Sequence, residues 1–494
     1  MTVSTDLKVY KNLIGGELRD ASGGERIDSI DPSTGKVWAA IPQSSQEDAL
    51  SAVAAAKHAF PAWKKTTAEE RAAALRKAAE LIGENAEALA ALETQDIGWV
   101  IRETSYGLIP VLQQVWFNAA AGALEANRGQ TVPLPSASFG YTLREPYGVV
   151  VGITPWNAPL FTLSIKAANA IAAGNTVIIK PSEQASASSL YLAELLKDVF
   201  PRGVFNVISG YGTELGDVLT SHPDVNKISL TGSGRTASTI ARATADKPKP
   251  LILELGGKSA NIVFEDADID AVADAISTYS IFTGNSGQIC VGSSRLLVHR
   301  AIFDKVAEAV ISRLKNPQYK MYGPTLDPST TTGPMANKSQ FDIVRNYIQV
   351  GLDEGAELLY GGRSGGAEVA PDHSELAEGY WIEPTLLKAE SNTLRVCQEE
   401  IFGPVAVMIP FNTEEQALNL ANGTEYGLAA GVWTKDLSLA HRMVSALDAG
   451  NVWVNTYARV GPELPFGGTK NSGFGTDSIA DYSREKSCVI ELKL

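Results

Sequence analysis

Cys290, Glu254 and Asn157 are the residues whose types and settings could carry covalent chemistry. Cys290 closes the stretch "FTGNSGQIC", where Gly284 and Gly287 let the chain bend tightly. A thiolate is the reactive form of cysteine, and the other reading of an isolated cysteine is a small buried hydrophobe. Glu254 lies in "LELGGK". A glutamate can act as a general base where its surroundings raise its pKa. The glycines after it, Gly256 among them, would let a flat ring approach the backbone. A turn glutamate facing water is the plainer alternative. Asn157 lies in "TPWNAP", with a proline on each side of Trp156-Asn157. An amide held there could donate to a developing oxyanion, or Asn157 could cap the next helix.

Two further stretches suit a nucleotide. "IIKPSE" brings Lys180 and Glu183 together, an ammonium to donate to ribose hydroxyls and a carboxylate to accept from them. "TGSGRTA" matches G-x-G-x-x-A, and backbone amides at such a helix start can cradle a pyrophosphate. Glu254 then falls 22 residues past Gly232, near the spacing of a ribose-binding acid. That leaves Glu254 two possible jobs.

These residues need strand ends to hold them. "GVVVGIT", "NTVIIK", "VFNVIS", "VNKISLTG" and "PLILELGG" are short β-branched runs separated by helical patterns such as "EQASASSLYLAELLKDVF". The alternation predicts an α/β fold with a doubly wound parallel sheet, which binds ligands beyond the carboxyl ends of its strands. "NLIGGEL" predicts a hairpin turning at Gly15-Gly16. Two alanine-rich helices should follow, the second from about Ala68 into the low nineties, opened by a Thr67–Glu70 capping box. A second α/β domain is expected from about Gly256 to Asn471, with strands in "SRLLVHR", "AELLYGG", "VAVMIPF" and "GNVWVN". "GYTLREPYG" and the final "SCVIELKL" read as strands outside both domains. The expected division is residues 1–126 with 147–255 for a dinucleotide-binding domain, 256–471 for a catalytic domain, and 127–146 with 472–494 for a small β element that joins subunits.

With 494 residues, two or three domains are expected. The balance of 42 basic against 56 acidic residues leaves −14, which disfavours nucleic acid and anionic membranes as partners. Three cysteines are no disulfide framework, and the five scattered histidines show no ligand spacing, so no metal is expected. "YGVVVGITPWNAPLFTLSI" is long enough to span a membrane, but Pro155, Asn157 and Pro159 break it, and strand, turn and helix explain it better. With no apolar N-terminal segment, the expected setting is soluble and cytoplasmic.

In order along the chain, "TPWNAP", "KPSE", "LTGS", "LELGGKS", "GNSGQIC", "EEIFGPV", "GNVWVN" and "PFGGTKNSG" together resemble the aldehyde dehydrogenase superfamily. The likeness spans nearly the whole chain. It implies NAD as cofactor, with NADP possible but less favoured, an aldehyde as substrate, and a homodimer or homotetramer. It implies that Cys290 attacks the aldehyde, that Asn157 and the Cys290 amide hold the oxyanion, and that Glu254 activates water against the thioester. Lys180 and Glu183 match adenosine-ribose contacts, Ser233 the pyrophosphate contact, and Glu400 the nicotinamide-ribose contact, with Phe402 packed near it. Thr154, Trp156 and Gly256 join the cofactor set. The chain departs from the family at Ala237, usually glycine, and at Thr476-Asp477, commonly Arg-Glu.

By position relative to "TPWNAP", the aldehyde tunnel should be lined by Ala158, Phe161 and Ile165, with Trp116, Ile289, Val291, Val460 and Phe466 as further candidates. Relatives acting on quaternary-amine aldehydes use an aromatic cage, which Ile165 cannot supply. Relatives acting on succinic semialdehyde often carry arginine at that position. The expected substrate is therefore uncharged and fairly bulky, aromatic or medium-chain aliphatic. Arg459, in "TYARVGPE", is a competing carboxylate binder, unless it pairs with Glu463 on the surface. Acyl transfer to coenzyme A is a rival outcome that the presence of Glu254 disfavours. A non-catalytic protein on the same scaffold is a rival of another class.

Overall fold

A computed structural model describes residues 7–135, 138–461 and 464–491. Five parallel strands form the centre of the first sheet: β1 (Val149–Ile153), β2 (Thr176–Lys180), β3 (Phe205–Val207), β4 (Val225–Thr231) and β5 (Leu251–Glu254). They lie in the order 3-2-1-4-5, so the order reverses between β1 and β4, the ligand-binding crevice of doubly wound sheets. Their residues are almost all buried, which is why they read as continuous apolar runs rather than alternating ones. Helices α1 (Pro159–Ala172), α2 (Ala187–Leu196), α3 (Gly212–Ser221) and α4 (Gly234–Thr244) connect them. The expected hairpin extends this sheet at one edge, with Gly15 and Gly16 at φ +61° and +80°.

The first alanine-rich helix is Gln46–Trp63. The second starts at Ala68 with the expected capping box but ends at Glu84, and a separate helix runs Ala86–Ile97. Asn85 between them turns its amide back to the Leu81 carbonyl at 2.9 Å. An asparagine that bonds its own backbone ends a helix without glycine or proline, so the one long helix becomes two.

The second sheet has seven strands: β6 (Ala260–Val263), β7 (Arg295–His299), β8 (Glu357–Tyr360), β9 (Thr385–Lys388), β10 (Val405–Phe411), β11 (Ala429–Trp433) and β12 (Asn451–Val454). Their order is 8-9-10-7-6-11-12, and only β8 runs antiparallel to its neighbour. "GYTLREPYG" and the last strand find each other: Ser138–Pro146 pairs antiparallel with Ser483–Glu491 in an unbroken nine-residue register. On the way there the chain adds a short strand, Gly473–Phe474, to the free edge of β5. Those two residues were expected in the β element and belong to the first sheet instead. No helix among the described residues is long and apolar enough to cross a membrane. The interrupted run from Tyr147 is β1, a turn and the start of α1.

Candidate active site

A cavity of about 1500 Å³ lies between the two sheets. Asn157, Glu254, Cys290 and Glu400 all line it. Each arrives from a different element.

Asn157 follows β1. Ala158 holds the cap position of α1, and the Asn157 amide donates instead across the site to the Gln288 carbonyl at 2.8 Å. The capping alternative is therefore excluded. Asn285 Nδ2 returns the contact by donating to the Asn157 carbonyl at 2.8 Å. The loop that carries Cys290 is fixed along its length. Gln288 Nε2 donates to the Asn285 and Pro334 carbonyls at 2.8 and 3.1 Å, and its Oε1 accepts from the Ala336 amide at 2.8 Å. The Tyr457 hydroxyl donates to the Val291 carbonyl at 2.7 Å. Gly284 and Gly287 take φ +63° and +71°, where a side chain would strain the backbone.

Cys290 is half-buried, and burial with the nearby Glu254 and Glu400 carboxylates pushes its thiol up to about 12. Glu254 ends β5, buried, and neither carboxylate oxygen has a hydrogen-bond partner among the described residues. Desolvation, then Asp477, raises it to about 9, with Lys166 opposing. This is a carboxyl facing a cavity, not a turn glutamate in water. Glu400 is raised to about 7 by desolvation, opposed by a hydrogen bond from the Gly257 amide, which donates to Oε1 at 2.9 Å.

The two glycines after Glu254 are needed for reasons the spacing did not show. A Cβ at Gly256 would stand 2.1 Å from Glu400 Oε2, and one at Gly257 would stand 2.8 Å from the Cys290 carbonyl. In this structure they admit a carboxylate and a backbone oxygen, where a flat ring was expected.

At the nucleotide end, Lys180 ends β2 and pairs with Glu183 at 3.1 Å. Burial lowers the lysine, and Glu183 opposes the shift. Thr154 donates its amide to the Lys180 carbonyl, while its buried hydroxyl oxygen has no partner among the described residues. Lys180, Glu183 and Thr154 stand at the strand ends beside the cavity wall rather than in it, whereas Gln184 lines it. Ser233 caps α4, accepting from the Thr236 amide at 3.3 Å. Ala237 is buried in that helix. Trp156 and Phe402 meet edge to face at 5.4 Å. A helix start, an ion pair at the end of β2 and an orphaned buried hydroxyl after β1 suit a dinucleotide.

At the other end, Ala158, Phe161, Ile165, Ile289, Val291, Val460 and Phe466 line the cavity as expected. Trp116 does not. It is fully buried, donates its indole N–H to Ser164 Oγ at 2.9 Å and packs 6.1 Å from Phe200. Its helix, Ile109–Ala123, turns that face to the core. Arg459 is exposed and outside the cavity wall, and only its neighbours Ala458 and Val460 line it. Its proposed partner Glu463 lies outside the described residues.

Two acidic wall residues have no role assigned from the sequence. Asp477 was noted only as a departure. It takes a buried ion pair with Lys166 at 2.6 Å and accepts from Ser229 Oγ at 2.7 Å and from the Tyr482 hydroxyl. Glu103 had no motif around it. Its only signal was a charged pair, Arg102-Glu103, opening an otherwise apolar helical stretch.

Residues 18–489 match the family model described as the aldehyde dehydrogenase family. The chain is 39% identical to aldehyde dehydrogenase family 2 member C4 of Arabidopsis thaliana, covering 99% of this chain and 96% of that one. Among solved structures, PnpE in complex with nicotinamide adenine dinucleotide superposes with a TM-score of 0.93 at 40% identity, covering 98% of each chain. A point mutant of betaine aldehyde dehydrogenase from Staphylococcus aureus, in complex with NAD+, superposes with a TM-score of 0.92 at 34% identity, over 98% of this chain and 96% of that one.

Proposed function

The chain belongs to the aldehyde dehydrogenase family, and from that premise we propose that it oxidises an uncharged, bulky aldehyde to its carboxylic acid through a thioester on Cys290. The observation that carries the proposal is the convergence of Cys290, Glu254 and Asn157 on one cavity from three separate elements. The cofactor is NAD, which supplies the hydride acceptor. Lys180 and Glu183 would hold its adenosine ribose, Ser233 its pyrophosphate and Glu400 its nicotinamide ribose, with Thr154, Trp156, Gly256 and Phe402 around them.

An aldehyde has no good hydride to give until a nucleophile adds to it. Cys290 Sγ bonds to the carbonyl carbon, the thiol proton passes to solvent water, and the oxygen becomes an oxyanion. The Asn157 amide, oriented by Gln288, and the Cys290 backbone N–H donate to it. Loss of hydride leaves a thioester. Glu254 takes a proton from water, which attacks the thioester carbon and releases the acid and the thiol. Its unpaired oxygens leave it free to accept that proton. Net, aldehyde, NAD+ and water give acid, NADH and a proton. The presence of Glu254 supports water over coenzyme A as acceptor.

The substrate reading rests on the apolar wall of Ala158, Phe161, Ile165, Ile289 and Phe466. The exposed side chain of Arg459 offers a semialdehyde little. The strand pair Ser138–Pro146 with Ser483–Glu491 would serve as the element that joins subunits.

The test is a panel of aldehydes with NAD, followed by absorbance of NADH. Benzaldehyde-like compounds should give the highest kcat/KM, and Cys290→Ala should form no NADH. A preference for succinic semialdehyde or betaine aldehyde would refute the substrate reading. NADH formation by Cys290→Ala would refute the mechanism.

A further inference from the structure

The substrate end of the cavity holds one acid that the mechanism does not use. Glu103 precedes a wider helical turn, Thr104–Leu108, and lines the cavity together with Tyr106, Leu108, Val111 and Phe161. It is half-buried, and its surroundings are apolar enough to raise its pKa by desolvation. Trp99 Nε1 donates to its Oε2 at 2.7 Å, and the Thr283 hydroxyl also donates to the carboxyl.

Its position is set by a missing side chain. A Cβ on Gly284 would stand 1.7 Å from Glu103 Oε2 and 2.5 Å from Oε1. Gly284 belongs to the loop that ends in Cys290. The glycine therefore does more than allow a bend: it clears the space in which this carboxyl rests on the nucleophile's own loop. Two donors do not saturate a carboxylate, which can accept about four hydrogen bonds.

A lone acceptor in an apolar wall discriminates by what it leaves unpaired. A substrate without a donor leaves the carboxyl's remaining acceptor sites unpaired, and a substrate with a hydroxyl satisfies them. Trp99 meets Glu103 through its N–H edge. The Trp99 ring face is therefore not the surface turned to the carboxyl.

We propose that Glu103, seated over Gly284, is a specificity-determining residue that accepts a hydrogen bond from a hydroxyl at the end of the aldehyde remote from its carbonyl, so that hydroxyaryl aldehydes are the preferred class. This rests on the aldehyde-oxidising reading of the same site and narrows it.

The test compares 4-hydroxybenzaldehyde with 4-methylbenzaldehyde, and 4-hydroxycinnamaldehyde with 4-methylcinnamaldehyde, by kcat/KM with NAD. Methyl replaces hydroxyl at similar size and removes the donor. In wild type the hydroxyl member of at least one pair should be favoured about tenfold or more. In Glu103→Leu that ratio should fall to about one. Glu103→Gln keeps an oxygen acceptor without the charge and should fall between. Each ratio is internal to one variant, so partial loss of folded enzyme cancels. Ratios near one in wild type, or an undiminished ratio in Glu103→Leu, would overturn the proposal while leaving aldehyde oxidation intact. Failure to oxidise any of the four while another aldehyde is turned over would overturn this proposal and the aromatic substrate reading together.

Discussion

At the scale of single residues, the thiol at about 12 and the carboxyl at about 9 imply an enzyme that works better in mild alkali. A carboxyl with a raised pKa is protonated below that value and becomes a base only as pH rises through it. The thioester-hydrolysis step, isolated by rapid mixing, should therefore accelerate from pH 7 and level off near pH 9. Glu254→Gln should keep a first burst of NADH and lose most steady turnover, and a steady rate equal to wild type would remove Glu254 as the base. On the proposed function, Glu183 would hold the adenosine ribose, and its carboxylate would repel a 2′-phosphate. Glu183→Ala should raise the NADP-to-NAD efficiency ratio by roughly tenfold or more, measured as kcat/KM with each cofactor. Cys290, Glu254 and Asn157 are visible in the sequence as residue types, each with a plainer alternative; the structure removes it for Asn157, whose amide bonds across the cavity, and for Glu254, which is buried. Trp116 was misplaced because position along a helix does not say which face meets the core, and only the Ser164 partner shows it. Glu103 was missed because its meaning depends on Gly284, 181 positions away.

At the scale of elements, the parallel strands were legible because burial on both faces makes them continuous β-branched runs. The break at Asn85 was not, because the side-chain bond that ends the helix leaves alanine periodicity on both sides. The Thr476-Asp477 departure resolves at this scale too. Asp477 follows the short strand on β5 and holds α1 through Lys166, both groups being buried. Removing one partner of such a pair leaves the other uncompensated. Asp477→Asn should cost roughly 3 kcal/mol or more in urea unfolding at pH 7. Lys166, Tyr482 and Ser229 hold the Asp477 carboxyl below its ordinary value against desolvation. Its contribution is thus present above the unfolded carboxyl pKa of about 3.9 and is lost as pH falls through the lower folded value. The gap between wild type and variant should close in acid, and a gap that persisted there would show that packing, not charge, is responsible.

For the whole molecule, the pairing of Ser138–Pro146 with Ser483–Glu491 leaves Phe139, Leu143, Val489 and Ile490 exposed at 42%, 41%, 63% and 43%. Ser138–Pro146 is also paired with Thr131–Pro133, which leaves Ser483–Glu491 as an open edge, and an open edge with exposed apolar side chains invites pairing with another chain. Sedimentation should find a dimer or tetramer, and Val489→Glu should shift it toward smaller species. A wild-type monomer at micromolar concentration would contradict this. The two sheets are recognisable from where the alternating pattern begins and ends. The allegiance of Gly473–Phe474 is not, because two residues carry no periodicity.

That two-residue strand has a consequence for how the protein is made. It pairs Gly473 with Glu254 and Phe474 with Leu253, so the strand bearing Glu254 lacks its outer neighbour until residue 474 has been synthesised. Domains generally fold as units during synthesis, N-terminal first, and the first sheet's five parallel strands are complete by residue 254. A chain released before residue 473 would therefore have its first sheet unfinished beside Glu254.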